Sequence, residues 1–197
     1  LGRLQSVCVG AHFAFGHQRQ GNVELLQQLG TELNFVLHSL ASVALDGETV
    51  SSTRIRAAIA EGQLDAAGQM LGREYELAGI VVGGDGRGRE LGFPTANVQV
   101  TGMCTPPHGV YAAHAEVAGE THRAAVNIGL RPTVAEPEPR LHVEAHLLEY
   151  LGDLYGSELA LTFVGKLRNE IAFDNYDDLR AQIEKDVAAA QAIFDKL

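Results

Sequence analysis

The 197-residue sequence is short of basic residues, cysteine and long apolar runs. Each shortage removes a class of function. Fifteen Lys and Arg stand against 25 Asp and Glu, a net charge of −10. A general nucleic-acid binder needs a positive face, so that class is set aside. Aromatic residues make up 6% and are sparse near the basic ones, which also fits poorly with a single-strand binder. The two cysteines, Cys8 and Cys104, lie far apart without metal-ligand spacing. They read as reduced thiols of a cytoplasmic protein. No apolar run approaches the roughly 20 residues needed to cross a bilayer, and no basic-then-apolar start marks a secretory signal. The opening LGRLQSVCVG lacks a leading Met and is expected to continue from a longer protein. There is no internal repeat and no low-complexity segment.

What is present is an ordinary apolar fraction, 46%, enough for one good core or two small ones. Up to about residue 70, strand and helix signals alternate. Val7-Cys8-Val9 reads as a buried strand ending at Gly10, Val23–Leu29 as a helix ending at Gly30, and Phe35-Val36-Leu37 as a second strand. SSTRIRAAIAEG offers Ser51, Ser52 or Thr53 as an N-cap, puts Ile55, Ala58 and Ile59 on one face and stops at Gly62. LDAAGQML makes a short helix before Gly72. This order predicts part of a parallel α/β unit. Beyond Gly72 come six short β-rich runs separated by Gly and Pro: YELAGIVV, TANVQV, GVYAAHAEV, RAAVNIG, LHVEAHLL and ELALTFV. They predict an antiparallel barrel or sandwich. From Tyr176 to Phe194, Leu179, Ile183, Asp186/Val187, Ala190 and Ile193/Phe194 recur at helical steps, with Asp174 or Asn175 as cap.

The stretch GRGRELGFPTAN, Gly86–Asn97, is the first candidate site. Gly83, Gly84, Gly86 and Gly88 free the backbone to turn its N–H groups toward one anion, and Arg87 and Arg89 add charge. A hairpin tip is the competing reading. No helix is expected to follow, which excludes the common phosphate-loop and dinucleotide motifs. Pro94 fixes the backbone before Thr95. Thr95 and Asn97 offer hard oxygen ligands suited to Mg and, two apart on a strand, point to one side. On LHVEAHLL, Leu141, Val143, Ala145 and Leu147 take one face, and His142, Glu144 and His146 the other. Glu144 reads as a general base or as part of a solvated face. A His-Glu-His metal site lacks a visible fourth ligand. NIGLRPT, Asn127–Thr133, is a glycine-proline turn that lines a site or joins strands. Arg168 and Glu170 pair with each other on the surface or reach a ligand beside the barrel.

In order and spacing, GRGRELGFPTAN, PPHGVYAA, NIGLRPT, VEAHLLEYLGDLYG and LRNEIAFDNYDDLRAQIEKD resemble riboflavin kinase over residues 72–197. VGAHFAFGHQRQGN and VSSTRIRAAIAEG, within residues 1–71, resemble the latter portion of an FMN adenylyltransferase module, fused in bacteria ahead of the kinase to give a bifunctional FAD-synthesising enzyme. The resemblance implies a partial Rossmann-like nucleotidyltransferase, then a six-stranded Greek-key β-barrel with a C-terminal helix. It implies ATP under the Gly84, Gly86, Arg87, Gly88 and Arg89 loop, beside Pro94, with Mg near Thr95 and Asn97. It places riboflavin across the barrel mouth toward the terminal helix, near Arg168 and Glu170, and makes Glu144 the catalytic base. Arg19 matches the adenylyltransferase FGxxRxG element; Ser51, Ser52, Thr53 and Arg56 match its downstream phosphate segment. That half departs from its family in having no His-x-Gly-His element and in placing His12 where an acid or amide is expected. The chain alone is therefore expected not to form FAD. A flavin- or nucleotide-binding barrel without catalysis is the alternative reading.

Overall fold

The computed structural model describes residues 4–131 and 140–197; at Arg131 and Arg140 the backbone alone is described. The chain forms two compact units, Leu1–Ser52 and Thr53–Leu197. Among the described residues no helix is long and apolar enough to cross a membrane.

In the first unit, β1 (Ser6–Gly10) and, after α1 (Val23–Leu33), β2 (Val36–Leu40) pair in parallel, with Ser6 opposite Val36. Asn22 starts α1 by accepting the Leu25 N–H at 2.9 Å. Asn34, at φ 58°, ends it in the left-handed conformation that asparagine tolerates. A methyl on Gly30 would press on the Phe35 carbonyl at 2.9 Å, so glycine lets α1 close over the start of β2. The parallel α/β unit is as expected, but β1 is not a buried strand. Its residues alternate between exposed and half-buried, because its sheet has two strands. The hairpin of β3 (Ala44–Leu45) and β4 (Glu48–Thr49) was not anticipated. Its signal was Asp46-Gly47, both at positive φ, the pair that a tight two-residue hairpin turn demands.

The second unit begins at the second residue of α2 (Ser52–Ala60) and continues with α3 (Leu64–Leu71). Ala58, Ile59 and Ala67 are buried with Ile55, Leu64, Met70, Tyr75 and Cys104, as the helical spacing required. Gly62 and Gly72 stop the two helices at positive φ. The Tyr75 hydroxyl donates to the Cys104 carbonyl. Burial, then the neighbouring Cys104 thiol, pushes the phenol up to about 12, and Arg73 opposes weakly. An unfolded tyrosine ionises near 10. The neutral phenol therefore stabilises the fold fully below pH 10, and this contribution is lost as pH rises from 10 toward 12. Urea midpoints measured from pH 8 to 11.5 should fall above pH 10, and Tyr75→Phe should flatten that fall.

The strands that follow are β5 (Glu76–Val82), then β6 (Ala96–Gln99) after a short helix α4 (Arg87–Glu90), β7 (Gly109–Val117), β8 (Glu120–Arg131), β9 (Arg140–Leu147) and β10 (Glu158–Arg168). They close into a barrel in the order β10-β5-β6-β9-β8-β7, every pair antiparallel. Each strand matches one of the six expected runs, and β6 beside β9 gives the Greek-key crossover. The period-two pattern sends Leu77, Val98, Val126, Ile128, Leu159 and Leu161 inward, where they fill the barrel. α5 (Tyr176–Phe194) covers part of the outer wall. Asn175 is its cap, accepting the Asp178 N–H at 2.8 Å. Ala112 and Ala125, opposite each other on β7 and β8, leave room for Ala190 and Phe194 of the helix.

Candidate active site

One register row carries the site. Asn97 on β6 pairs with Glu144 on β9, Glu144 with Asn127 on β8, Asn127 with Val110 on β7, and Val110 with Arg168 on β10. Side chains directly opposite in an antiparallel ladder share a face. Their neighbours Ala96, Ala145, Val126, Ile128 and Tyr111 belong to the barrel core, so the row faces outward. Glu144 and Asn97 thus stand side by side on the same side of the wall. NIGLR is not a turn: Asn127 to Arg131 continue β8, and residues 132–133 lie outside the described residues. Gly129 has a different task. A methyl there would overlap the Glu170 carboxylate, so the missing side chain admits that group to the strand.

A cavity of about 290 Å³ lies on this outer face. Thr95, Asn127, Glu144, His146, Arg168 and Glu170 line it, with Arg87 and Gly88 on one side and Leu179, Ile183 and Val187 of α5 on another. The resemblance pointed to the barrel mouth. The apolar interior is filled, and this cavity lies between the wall and α5. A second cavity, about 580 Å³, is lined by Arg89, Pro94, Thr95, Tyr150, Asp153 and Tyr155, among others. Thr95 lines both.

The glycine loop differs from its expectation in two respects. A helix does follow: Gly86, at φ 73°, turns the chain into the single turn α4. The two arginines do not converge, since Arg87 borders the first cavity and Arg89 the second. Arg87 also pairs with Asp85 at 3.4 Å on the surface. The glycines bring the loop backbone onto the PTAN segment. A methyl on Gly84 would overlap the Asn97 amide; one on Gly88 would overlap the Phe93 carbonyl and stand 3.0 Å from Thr95 Oγ1. Gly88→Ala must therefore displace Phe93 to Thr95, and a misplacement of about 1 Å at a reacting centre costs on the order of 100-fold. If the loop holds a nucleotide, as the resemblance implies, steady-state kinetics of that variant should show kcat/KM for ATP down by about 10- to 100-fold.

Glu144 lies 3.5 Å from His142 Nδ1, measured at Oε1. Among the described residues no group of three His, Cys, Asp or Glu could hold a metal ion, so the His-Glu-His site is not formed. Arg168 and Glu170 do not pair as expected. Arg168 Nε donates to Asp186 Oδ1 at 2.9 Å and its terminal nitrogen to Oδ2 at 2.7 Å, tying β10 to α5. Gln182 donates to Asp186 Oδ1 at 2.9 Å. Asp186, 6% exposed, was read only as a helix-spacing position. The signal was an acid at an apolar step, since a buried carboxylate needs a partner. In the upstream part Arg19 is exposed, in the one-turn helix His17–Arg19 of the first unit, where Ser51 and Ser52 also fall. Thr53 and Arg56 are exposed on α2 in the second unit.

The riboflavin kinase family model matches residues 71–194, which hold this cavity and its lining. The chain belongs to the riboflavin kinase family. The kinase region is preceded by residues 2–54, which match the FAD synthetase family model. Curated relatives include a protein named bifunctional riboflavin kinase/FMN adenylyltransferase from Pseudomonas fluorescens, 41% identical over 96% of this chain and 61% of that protein. One of the same name from Haemophilus influenzae is 39% identical over 97% of this chain and 62% of its own length. The chain thus spans about three fifths of the length of these relatives. Among solved structures, one described as a macrolide-efflux protein from Streptococcus pneumoniae shares the fold, with a TM-score of 0.72 and 28% identity over 92% of this chain and 58% of its own.

Proposed function

We propose that the chain transfers the γ-phosphoryl group of ATP to the terminal ribityl hydroxyl of riboflavin, giving FMN and ADP. The observation that carries this reading is Thr95, the shared wall of two cavities, with Glu144 in the first of them. Riboflavin takes the cavity between barrel and α5. Its apolar side, Leu179, Ile183 and Val187, suits an aromatic ring system, and Arg168 and Glu170 supply polar contacts. ATP takes the second cavity, with Arg89 for charge and its phosphates directed to Thr95 under the glycine loop.

In the reaction the hydroxyl oxygen forms a bond to the γ-phosphorus, the bond from that phosphorus to the bridging oxygen breaks, and ADP leaves. Glu144 takes the hydroxyl proton. Such transfers need alignment and charge neutralisation more than covalent help, and the closely packed loop and wall supply alignment. The residues fit magnesium carried on a nucleotide. Thr95 Oγ1 and the Asn97 amide oxygen are hard donors, both approached by glycine backbone without a side chain between. These two would hold the ion, which when bound neutralises phosphate charge.

The longer relatives' names motivate a second part of the proposal: residues 1–71 are the adenylyltransferase portion and 72–197 the kinase, within a whole protein that also converts FMN to FAD. The start of the kinase match at residue 71 supports that boundary. A single assay of riboflavin, ATP and magnesium tests the kinase reading. FMN and ADP are expected in equal amounts. Riboflavin binding without product points to a flavin-binding barrel, and the absence of both product and binding sinks both readings.

A further inference from the structure

We propose that His146 is a positioning residue, whose ring holds the Pro94 carbonyl and thereby fixes the Thr95 peptide between the two cavities. The inference rests on the kinase reading of the site. The β6–β9 ladder starts at Ala96, opposite Ala145. Pro94, two residues earlier, has no N–H to give to a ladder. Its carbonyl is instead met by the side chain that follows Ala145 on β9: His146 Nδ1 lies 2.8 Å away. A carbonyl oxygen only accepts, so Nδ1 carries the proton, and in the neutral ring Nε2 is left as the acceptor.

The same ring is braced from a second side. Phe93 meets it edge-on, with centroids 5.6 Å apart and planes at 81°. The Phe93 N–H donates to the Gly88 carbonyl at 2.7 Å. His146 thus engages both residues that precede Thr95 and links them to the glycine loop. The Pro94–Thr95 peptide is trans and planar. Anchoring its oxygen therefore directs the Thr95 N–H to the opposite side and sets where the threonine side chain begins. The threonine that lines both cavities is thus preceded by a peptide held by a donor on another strand.

Two substitutions separate the donor from the ring. His146→Phe keeps the edge contact to Phe93 and loses the N–H; His146→Asn loses the ring and keeps an N–H donor near the Nδ1 position. With wild-type protein alongside, the measurements are steady-state kinetics in riboflavin and ATP, amide hydrogen exchange of Phe93, Thr95 and Ala96 without ligands, and melting temperature. For His146→Phe the expected result is kcat lower by about 10- to 100-fold with both KM values within about threefold, and faster exchange at Phe93, Thr95 and Ala96. His146→Asn should stay within about threefold of wild type in kcat and match its exchange. Wild-type kcat and exchange in His146→Phe would overturn the proposal. So would a His146→Asn as impaired as His146→Phe, because the ring and not the donor would then matter. A His146→Phe that does not fold makes the histidine a structural residue and also overturns it. If wild-type protein forms no FMN, the kinase reading fails, while the exchange comparison still decides the positioning claim.

Discussion

Glu144→Gln should lower kcat about 10²- to 10⁴-fold, the usual contribution of a positioned general base. The amide keeps the size and shape of the carboxylate and removes its ability to take a proton. Register makes the test clean. Glu144 is flanked in the ladder by Asn97 and Asn127, and its strand neighbours Val143 and Ala145 are buried in the barrel. The backbone at 144 is thus fixed by pairing on both sides, and the side chain can change without moving the wall. Nucleotide binding should survive, since the second cavity does not include Glu144. Binding of magnesium–ADP measured by calorimetry, beside turnover, separates the two effects. Turnover equal to wild type would remove Glu144 from the role.

Asp186→Ala should be the most damaging change to stability. Asp186 is buried, and it accepts from Arg168 and Gln182. Removing one partner of a buried pair leaves the other charge uncompensated, typically at 3–5 kcal/mol. The Arg168 side chain is 21% exposed, so water recovers part of that, and we expect about 2–4 kcal/mol. For a chain of this size that is roughly 4–16 °C in melting temperature. The same change frees α5 from β10 at the wall of the first cavity, so the KM for riboflavin should rise as well. Differential scanning calorimetry and riboflavin titrations check the two halves. Asp186→Asn, which keeps an acceptor oxygen, should lose less on both counts. A melting temperature unchanged in Asp186→Ala would show that the ion pair contributes nothing to holding the helix.

The barrel was legible because its strands alternate. Val143 and Ala145 against Glu144 and His146 can be read residue by residue, and the six runs agree with β5 to β10. The C-terminal helix was legible for a similar reason, down to its asparagine cap. What could not be read was anything fixed by approach between distant segments. Gly129 looked like part of a turn, because a glycine shortly before a proline reads as one; its pairing with His142 and the Glu170 carboxylate lying against it show otherwise. Arg168 and Glu170 were the nearest opposite charges in sequence, yet the arginine's partner is Asp186, 18 residues on in the middle of α5. The paired arginines of the glycine loop looked like one anion grip, but the turn of α4 sends them to separate cavities. Sequence spacing carries the period of an element. It does not carry which element is laid against it.

A closed ring of strands absorbs a change in length only at a bulge. β10 has register shifts between Phe163 and Gly165 and between Lys166 and Arg168, whereas β9 pairs with β6 and β8 in unbroken register. Adding or deleting one residue in the middle of β9 would rotate every later side chain by half a turn, bringing His146 inward and sending Ala145 out. Loops between strands can drift in length, whereas this segment is held to a single spelling, so insertion tolerance along the chain should drop sharply at the strand that bears the carboxylate.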